Sequence, residues 1–182
     1  NCKVASDASD LMGSDALVLP GVGHFRHAMN FFRASGLLQP ALELIRSGMP
    51  TLGICLGFQL LTRSSEEANG EPGLGLLPCS TVRIWPNDSQ IYKVPHIGWN
   101  TIHKIHGAPS LLRGIAAEEQ NFYYSNAFAV KYDKAFSSPL ATYDHGSEYV
   151  GLMEQGRLFG VQFHPEKSRA QGLRVLKNFL AA

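Results

Sequence analysis

The sequence Gly-Ile-Cys-Leu-Gly at positions 53–57 carries the side chain best suited to covalent chemistry, the thiol of Cys55. It follows an apolar run and precedes a helical pattern, as a G-x-S-x-G nucleophile elbow does, where a strained strand-to-helix turn exposes the apex residue and glycines avoid clashes. The positive end of the helix favours the thiolate, and the N–H of Leu56 points to where an oxyanion would form. Cys55 is therefore predicted to be a nucleophile rather than an inert core cysteine.

A second cluster, Gly-Val-Gln-Phe-His-Pro-Glu at positions 160–166, supplies a general base. An apolar strand ends at His164, and Pro165 restricts the turn that follows. Glu166 can then lie beside the imidazole, fix its tautomer and stabilise the imidazolium. Alone, His164 would more often be a core or capping histidine. Together with Glu166 and Cys55 it completes a predicted Cys-His-Glu triad.

The elements that must position this triad follow a strand-helix-strand order. We predict a strand at 16–19, helices at 25–34 and 37–46, and then the strand that leads to Cys55. This order is typical of a parallel sheet with catalytic groups at the C-terminal strand ends. Positions 70–114 are predicted to form short strands and loops beside that sheet.

The chain around His164 is predicted to be a hairpin followed by a helix. Strands at 148–154 and 157–163, with a turn at 155–156, would deliver His164 to the site. The last helix would begin at Ser168, its N-cap, and would bury an apolar face made of Leu173, Leu176, Phe179 and Leu180.

Composition limits the class of protein. A chain of 182 residues with 45% hydrophobic content predicts a single domain over 1–182. Sixteen basic and 15 acidic residues leave a net charge of +1, and no basic patch predicts a nucleic-acid partner. The sequence has no apolar segment long enough to predict a membrane span. Three cysteines and no signal-peptide pattern predict a reducing, cytoplasmic location.

Two further patterns have a plain alternative. His96, His103 and His106 lie close in sequence, but no cysteine or carboxylate spacing completes a metal site, so neither a metal nor another cofactor is predicted. The loop Pro-Gly-Val-Gly at 20–23 could present an N–H group to an oxyanion, because glycine permits the backbone conformations required, or could be an ordinary strand-to-helix turn.

Five motifs together resemble the class I glutamine amidotransferases, in that family's order and over nearly the whole chain. They are Pro-Gly-Val-Gly-His-Phe at 20–25, Gly-Ile-Cys-Leu-Gly-Phe-Gln at 53–59, Ser-Glu-Glu at 65–67, Lys-Val-Pro-His-Ile-Gly-Trp-Asn at 93–100 and Phe-His-Pro-Glu-Lys-Ser at 163–168. The last two most resemble the glutaminase subunits of imidazole glycerol phosphate synthases. The resemblance implies an α/β fold with an open, mostly parallel, flavodoxin-like sheet, helices on both faces and an added antiparallel β region.

The resemblance also implies a reaction and its partners. Cys55 would attack the side-chain amide of L-glutamine, ammonia would leave with a proton from His164, and water would hydrolyse the glutamyl thioester. The N–H groups of Val22 and Leu56 would form the oxyanion hole. The ammonia would pass to a (β/α)₈-barrel cyclase subunit, in a heterodimer that makes imidazole glycerol phosphate and AICAR.

The same resemblance assigns further residues to binding. Gly21, Gly23 and Gln59 match glutamine-binding positions, and Glu67 matches an acidic residue near the substrate amino group, although by itself 65–67 could be a solvated run. Trp99 and Asn100 would face the partner, whereas the residues alone predict a buried Trp and a turn.

The chain departs from the family's pattern in two places. It starts without the family's first β-α unit, so we expect an N-terminally short, truncated or processed form with an uncovered sheet edge. Ser-Asn-Ala-Phe at 125–128 replaces the family's His-Ser-Tyr or His-Thr-Tyr run, so backbone contacts to the glutamine carboxylate are expected to persist while side-chain contacts are lost.

Two other functions stay open from the sequence. One is a different Cys-His-Glu enzyme, either a γ-glutamyl hydrolase or a paralogous amidotransferase that serves sugar modification. The other is an inactive binding subunit, suggested by the short N-terminus and by Asn126 and Ala127.

Overall fold

The computed structural model describes residues 2–132 and 137–182. Its helices and strands in that part of the chain are β1 (Leu17–Leu19), α1 (Phe25–Ala34), α2 (Leu38–Arg46), β2 (Thr51–Ile54), α3 (Leu56–Leu60), β3 (Ser64–Ser65), β4 (Glu71–Pro72), β5 (Cys79–Arg83), β6 (His96–Thr101), β7 (Lys104–His106), β8 (Asn121–Asn126), β9 (Phe128–Tyr132), β10 (Leu140–Asp144), β11 (Glu148–Gln155), β12 (Leu158–Val161) and α4 (Arg169–Leu180).

Most of these strands form one mixed sheet in the order β1-β2-β12-β11-β9-β5-β3-β4, with β10 paired to β11 and β7 paired to β10. The neighbours β1, β2 and β12 run parallel to one another. From β12 to β11, β9 and β5 the pairings are antiparallel. Strands β6 and β8 form a separate antiparallel ribbon.

The parallel strands β2 and β12 are buried along their whole length, which is typical of strands covered on both faces, whereas the edge strand β1 leaves Val18 exposed. Leu52 and Phe159 share a row of the sheet and pack with Phe179 of α4 on one face. On the other face, Leu19 and Leu158 pack with Phe58 of α3. Parallel strands with helices on both faces place the ends of β2 and β12 side by side at the C-terminal edge.

The predicted α/β class is confirmed, and the antiparallel part is larger than the sequence indicated. Helix α1 has the predicted bounds, and α2 begins one residue later than predicted. Of the strands within 70–114, β4, β5 and β7 belong to the main sheet rather than standing beside it, and β5 pairs with β9 along five residues. In the hairpin, Gln155 still pairs with Leu158, so the turn lies at 156–157 and not at 155–156.

The apolar face predicted for α4 was wrong in part. Leu173 is 57% exposed and Leu180 is 75% exposed, whereas Gly172, Val175 and Phe179 are buried. The reason is a close approach: a Cβ at Gly172 would lie 2.0 Å from the carbonyl oxygen of Pro165, so the helix meets the preceding turn through this glycine. The buried stripe is consequently rotated by one residue.

No helix in the described residues is both long and apolar enough to cross a bilayer. Within residues 2–132 and 137–182, His, Cys, Asp and Glu side chains also do not gather in a group of three or more that could hold a metal ion.

Candidate active site

Cys55 occupies a sharp turn between β2 and α3, as the elbow motif predicts. Its backbone has φ of 51° and ψ of −108°, a conformation that side-chain-bearing residues rarely adopt. Backbone strain of this kind costs about 1–3 kcal/mol and persists where surrounding structure imposes it. The Cys55 N–H donates to the carbonyl of Val161 at 2.8 Å, so the elbow lies directly beside the strand that leads to His164.

The two glycines of the motif permit the close packing of this turn. A Cβ at Gly57 would lie 1.7 Å from the carbonyl oxygen of Leu19, and a Cβ at Gly53 would lie 2.7 Å from the backbone nitrogen of Phe58. Neither neighbour can move away, since both atoms belong to the backbone of adjacent elements. The spacing of the motif is therefore a requirement of packing around Cys55.

The Cys55 thiol is buried, and burial raises its pKa to about 11. The Leu56 N–H and the Gln162 amide act in the opposite direction, while the Glu166 carboxylate adds to the increase and Lys167 opposes it. The sequence-based expectation of a favoured thiolate is thus wrong for this resting state. The Leu56 N–H and the start of α3 do lie beside the thiol, but α3 has only five residues and desolvation outweighs their effect on the pKa.

His164 and Glu166 form the predicted pair. The imidazole Nδ1 lies 2.8 Å from Glu166 Oε1, the histidine side chain is 3% exposed and the carboxylate side chain is 52% exposed. With the Nδ1–H donated to the carboxylate, Nε2 carries the lone pair. In the described part of the chain this buried Nε2 has no hydrogen-bond partner, and no hydrogen bond joins Cys55 to His164. The imidazole is therefore held by Glu166 with its basic atom free.

The backbone of His164 is held by β8 and by Ser168. The His164 N–H donates to the carbonyl of Tyr123 at 2.8 Å, and the Ser168 hydroxyl donates to the carbonyl of His164 at 2.6 Å. The same hydroxyl accepts the Tyr123 N–H at 2.9 Å. Ser168 precedes α4 as predicted, but its side chain makes no capping bond to that helix. The Ser168 hydroxyl holds the backbone of His164 instead, a role that the sequence did not reveal.

The Pro-Gly-Val-Gly loop lies against the start of α3. A Cβ at Gly21 would lie 2.9 Å from Leu56 Cβ, and Gly23 has φ of 114°, which favours glycine. The side chain of Val22 is exposed. The loop therefore meets the helix start that follows Cys55. The oxyanion hole built from the N–H groups of Val22 and Leu56 stays a prediction.

Gln59 lies on α3, the helix that follows Cys55, and its buried amide makes hydrogen bonds to other protein groups. Its amide Nε2 donates to the carbonyl of Phe128 at 2.9 Å and to Gln162 Oε1 at 3.2 Å. Gln162 in turn donates from its Nε2 to Cys55 Sγ at 3.6 Å. The sequence analysis missed Gln162; its signal was a polar residue inside an otherwise apolar strand sequence, two positions before His164.

Glu67 has a structural partner. Its Oε2 accepts the N–H of Phe25, the first residue of α1, at 2.8 Å. A carboxylate at this position satisfies a free helix N–H and complements the helix dipole. The predicted contact of Glu67 with the substrate amino group stays a prediction.

Trp99 is 40% exposed rather than buried, and lies on the β6-β8 ribbon. Its ring contacts Tyr123 edge to face at 6.1 Å between centroids, and the Arg169 guanidinium lies 4.9 Å above it. The neighbouring Asn100 is tied inward, donating from Nδ2 to the carbonyl of Asp144 at 2.8 Å. Because the Tyr123 carbonyl also accepts the His164 N–H, this surface is connected to the backbone of His164.

Asn126, at the position where the sequence departs from the family, is an internal residue. Its amide Nδ2 donates to the carbonyl of Phe128 at 2.9 Å and lies 3.3 Å from the hydroxyl of Tyr143. Its side chain therefore supports the strand that also anchors Gln59.

The three cysteines should react with iodoacetamide at different rates. Cys2 is exposed, whereas burial raises the pKa of Cys55 to about 11 and that of Cys79 to about 12. We expect alkylation of Cys55 at pH 7.5 to be at least about tenfold slower than that of Cys2, and to rise about tenfold per pH unit up to pH 9. Peptide mapping by mass spectrometry measures all three in one digest. A Cys55 rate that levels off below pH 8 would contradict a neutral resting thiol.

The site and the sheet agree with a known class of enzyme. The sequence profile of the family described as glutamine amidotransferase class-I matches residues 3–182. A crystallised glutamine amidotransferase has the same fold with a TM-score of 0.66, at 17% identity over 98% of this chain and 84% of that one. A glutamine amidotransferase from Thermotoga maritima gives 0.56 at 18% identity over 94% and 63%. The chain belongs to the class-I glutamine amidotransferase family.

Sequence relatives narrow this class. The imidazole glycerol phosphate synthase subunit HisH of Syntrophotalea carbinolica is 39% identical over 98% of this chain and 87% of that protein. The subunit of the same name from Deinococcus radiodurans is 40% identical over 97% and 80%. The fused imidazole glycerol phosphate synthase hisHF of Emericella nidulans is 39% identical over 94% of this chain and 32% of that protein. Within its family, the chain is thus a glutamine amidotransferase of the HisH type.

Proposed function

We propose that the chain hydrolyses L-glutamine with Cys55, His164 and Glu166 and passes the ammonia to a cyclase partner. The observation that carries this proposal is the pairing of a strained Cys55 elbow with a neighbouring buried imidazole that Glu166 holds by Nδ1. The names of the relatives, which describe a subunit of a synthase, support the partner. The chain has three cysteines and all are free, as is usual in a reducing compartment, from which we infer a cytoplasmic location.

The proposed reaction has two halves, formation and hydrolysis of a glutamyl thioester, and the same residues act in both. His164 Nε2 takes the Cys55 proton as sulfur attacks the amide carbon, and the N–H groups of Leu56 and Val22 stabilise the oxyanion. The imidazolium then protonates the leaving nitrogen, the C–N bond of the tetrahedral intermediate breaks, and ammonia departs to leave a glutamyl thioester on Cys55. His164 next takes a proton from water, which attacks the thioester, and returns it to sulfur as glutamate leaves. Glu166 holds the imidazole and stabilises its charged form throughout.

A partner would have to complete this site. The thiol pKa of about 11 and the missing bond between Cys55 and His164 predict slow turnover by the isolated chain. We propose that the cyclase barrel docks on the surface around Trp99, where Tyr123 links that surface to His164. Substrate contacts at Gly21, Gly23, Gln59 and Glu67 belong to the same proposal.

Glutamate release from L-glutamine tests the function. The chain should be assayed alone and with the barrel subunit of a related synthase plus its nucleotide ligand, with Cys55→Ala as the inactive variant and Cys79→Ala as the matched control. We expect the liganded barrel to raise the rate, Cys55→Ala to lower it by at least about 10³-fold, and Cys79→Ala to retain it. Partner-independent turnover of γ-glutamyl peptides would favour the hydrolase alternative. A folded chain that neither turns over glutamine nor reacts at Cys55 with a glutamine-analogue electrophile would favour the inactive subunit.

A further inference from the structure

Two buried glutamines and the backbone carbonyl of Phe128 form a continuous line of hydrogen bonds that ends on Cys55 Sγ. The carbonyl of Phe128 accepts from Gln59, Gln59 donates to Gln162, and Gln162 donates to Cys55 Sγ. Gln162 is 0% exposed and Gln59 is 5% exposed. We infer that Gln162 is a catalytic residue that donates to the sulfur as its charge develops, and that Gln59 is a positioning residue that orients Gln162. This inference deepens the proposed function and rests on it.

The orientation of both amides follows from one fixed acceptor. A backbone carbonyl can only accept, so Gln59 must turn its NH₂ group towards Phe128. The second hydrogen of that nitrogen goes to Gln162, which must therefore present its oxygen there and its own NH₂ group to Cys55. Reversing Gln162 would place two NH₂ groups against each other. The carbonyl of Phe128, three hydrogen bonds away from the sulfur, thus sets the direction of the bond from Gln162 to Cys55.

A donor aimed at the sulfur has a defined chemical effect. An N–H stabilises a thiolate and cannot accept the thiol proton, so that proton has to go to another group, the free Nε2 of His164. The other groups around the sulfur are the Leu56 N–H and the charges of Glu166 and Lys167, together with the Tyr143 phenol, whose own pKa burial raises. Of all the groups around the sulfur, Gln162 is the side chain that donates a hydrogen bond to it.

This role for Gln59 differs from direct substrate binding. Both hydrogens of its amide are used inside the protein, so only its oxygen remains for a ligand. A residue that only binds glutamine affects KM and leaves the ligand-free thiol unchanged. A residue that orients Gln162 changes the reactivity of Cys55 before glutamine is present. The two roles are therefore separable in the ligand-free chain.

The test is iodoacetamide alkylation of Cys55 in the full chain without glutamine, followed by mass spectrometry between pH 7 and 9. Gln162→Met and Gln59→Met keep similar volume and remove the donor or its orientation. We expect each to raise the thiol pKa by about one pH unit; tenfold less thiolate, partly offset by its higher nucleophilicity, gives alkylation about threefold slower. The double variant should be no slower than Gln162→Met, because Gln59 acts through Gln162. Gln120→Met, at a buried glutamine that donates to Ile115, is the matched control.

Loosened packing around Cys55 would make alkylation faster, whereas loss of the Gln162 donor makes it slower, so the direction of the change distinguishes the two causes. Equal or faster alkylation in a folded Gln162→Met variant would overturn the inference, and so would a Gln59→Met variant altered only in KM. If Gln162→Met does not fold, Gln59→Met reads the same line of bonds from its other end. Alkylation needs no turnover. Slower labelling of the variants in a chain that never releases glutamate would therefore contradict the proposed function but leave the inference about Gln162 standing.

Discussion

His164→Ala is expected to lower kcat/KM for glutamine by at least about 10³-fold in the partnered enzyme. The variant loses the only group in the proposed reaction that takes the thiol proton and returns it to the leaving nitrogen. Glu166→Gln should cost less, about 10–10³-fold, because an amide still occupies the position beside Nδ1 but no longer stabilises the imidazolium. Steady-state glutamate release measures both.

His103→Ala provides the matched control, since His103 is exposed and its N–H bonds the backbone of Thr142 in the main sheet. It should change the rate by less than about twofold. Added imidazole should restore part of the His164→Ala rate if the cavity left by the side chain admits it. A His164→Ala enzyme with a rate near that of His103→Ala would remove the histidine from the mechanism.

Gly57→Ala is expected to destabilise the fold by at least about 3 kcal/mol. Alanine would normally favour a helix over glycine by about 1 kcal/mol, but here its Cβ would lie 1.7 Å from the carbonyl oxygen of Leu19. Either β1 or α3 must move; α3 follows Cys55 directly, and β1 pairs with the strand β2 that leads to it. Urea unfolding of the variant and the parent chain gives the difference in free energy.

Gly36→Ala separates this clash from glycine's conformational freedom. Gly36 has φ of 72° with open space around its Cβ position, so alanine there should cost only about 1–2 kcal/mol. Equal losses for the two variants would show that the tight packing at Gly57 is not the source of the effect.

The local features of the site were predictable from the sequence. Gly53 and Gly57 around Cys55 encode a turn whose steric requirement depends on few residues, and the structure has the strained backbone that they imply. The pair of His164 and Glu166 is similarly local, because Pro165 leaves little freedom between them. Residue types and their spacing determine short-range geometry of this kind.

Features that depend on distant partners were missed. The buried stripe of α4 is set by contact of Gly172 with Pro165, which helical periodicity does not contain. Gln162 and Ser168 acquire their roles only when β8, β12 and the elbow come together. The neutral resting state of Cys55 likewise results from burial by the assembled core, a quantity that a motif does not report. Long-range pairing also explains the larger antiparallel sheet.

The central claim is that Cys55 carries the glutamyl group during turnover. The most direct measurement is rapid acid quenching of the partnered enzyme with L-glutamine, followed by peptide mass spectrometry of residues around the elbow. The account predicts a glutamyl adduct on Cys55 that forms and decays at rates matching glutamate release, and no adduct in Cys55→Ala. Glutamate release at the parent rate without any adduct, or from Cys55→Ala, would contradict it.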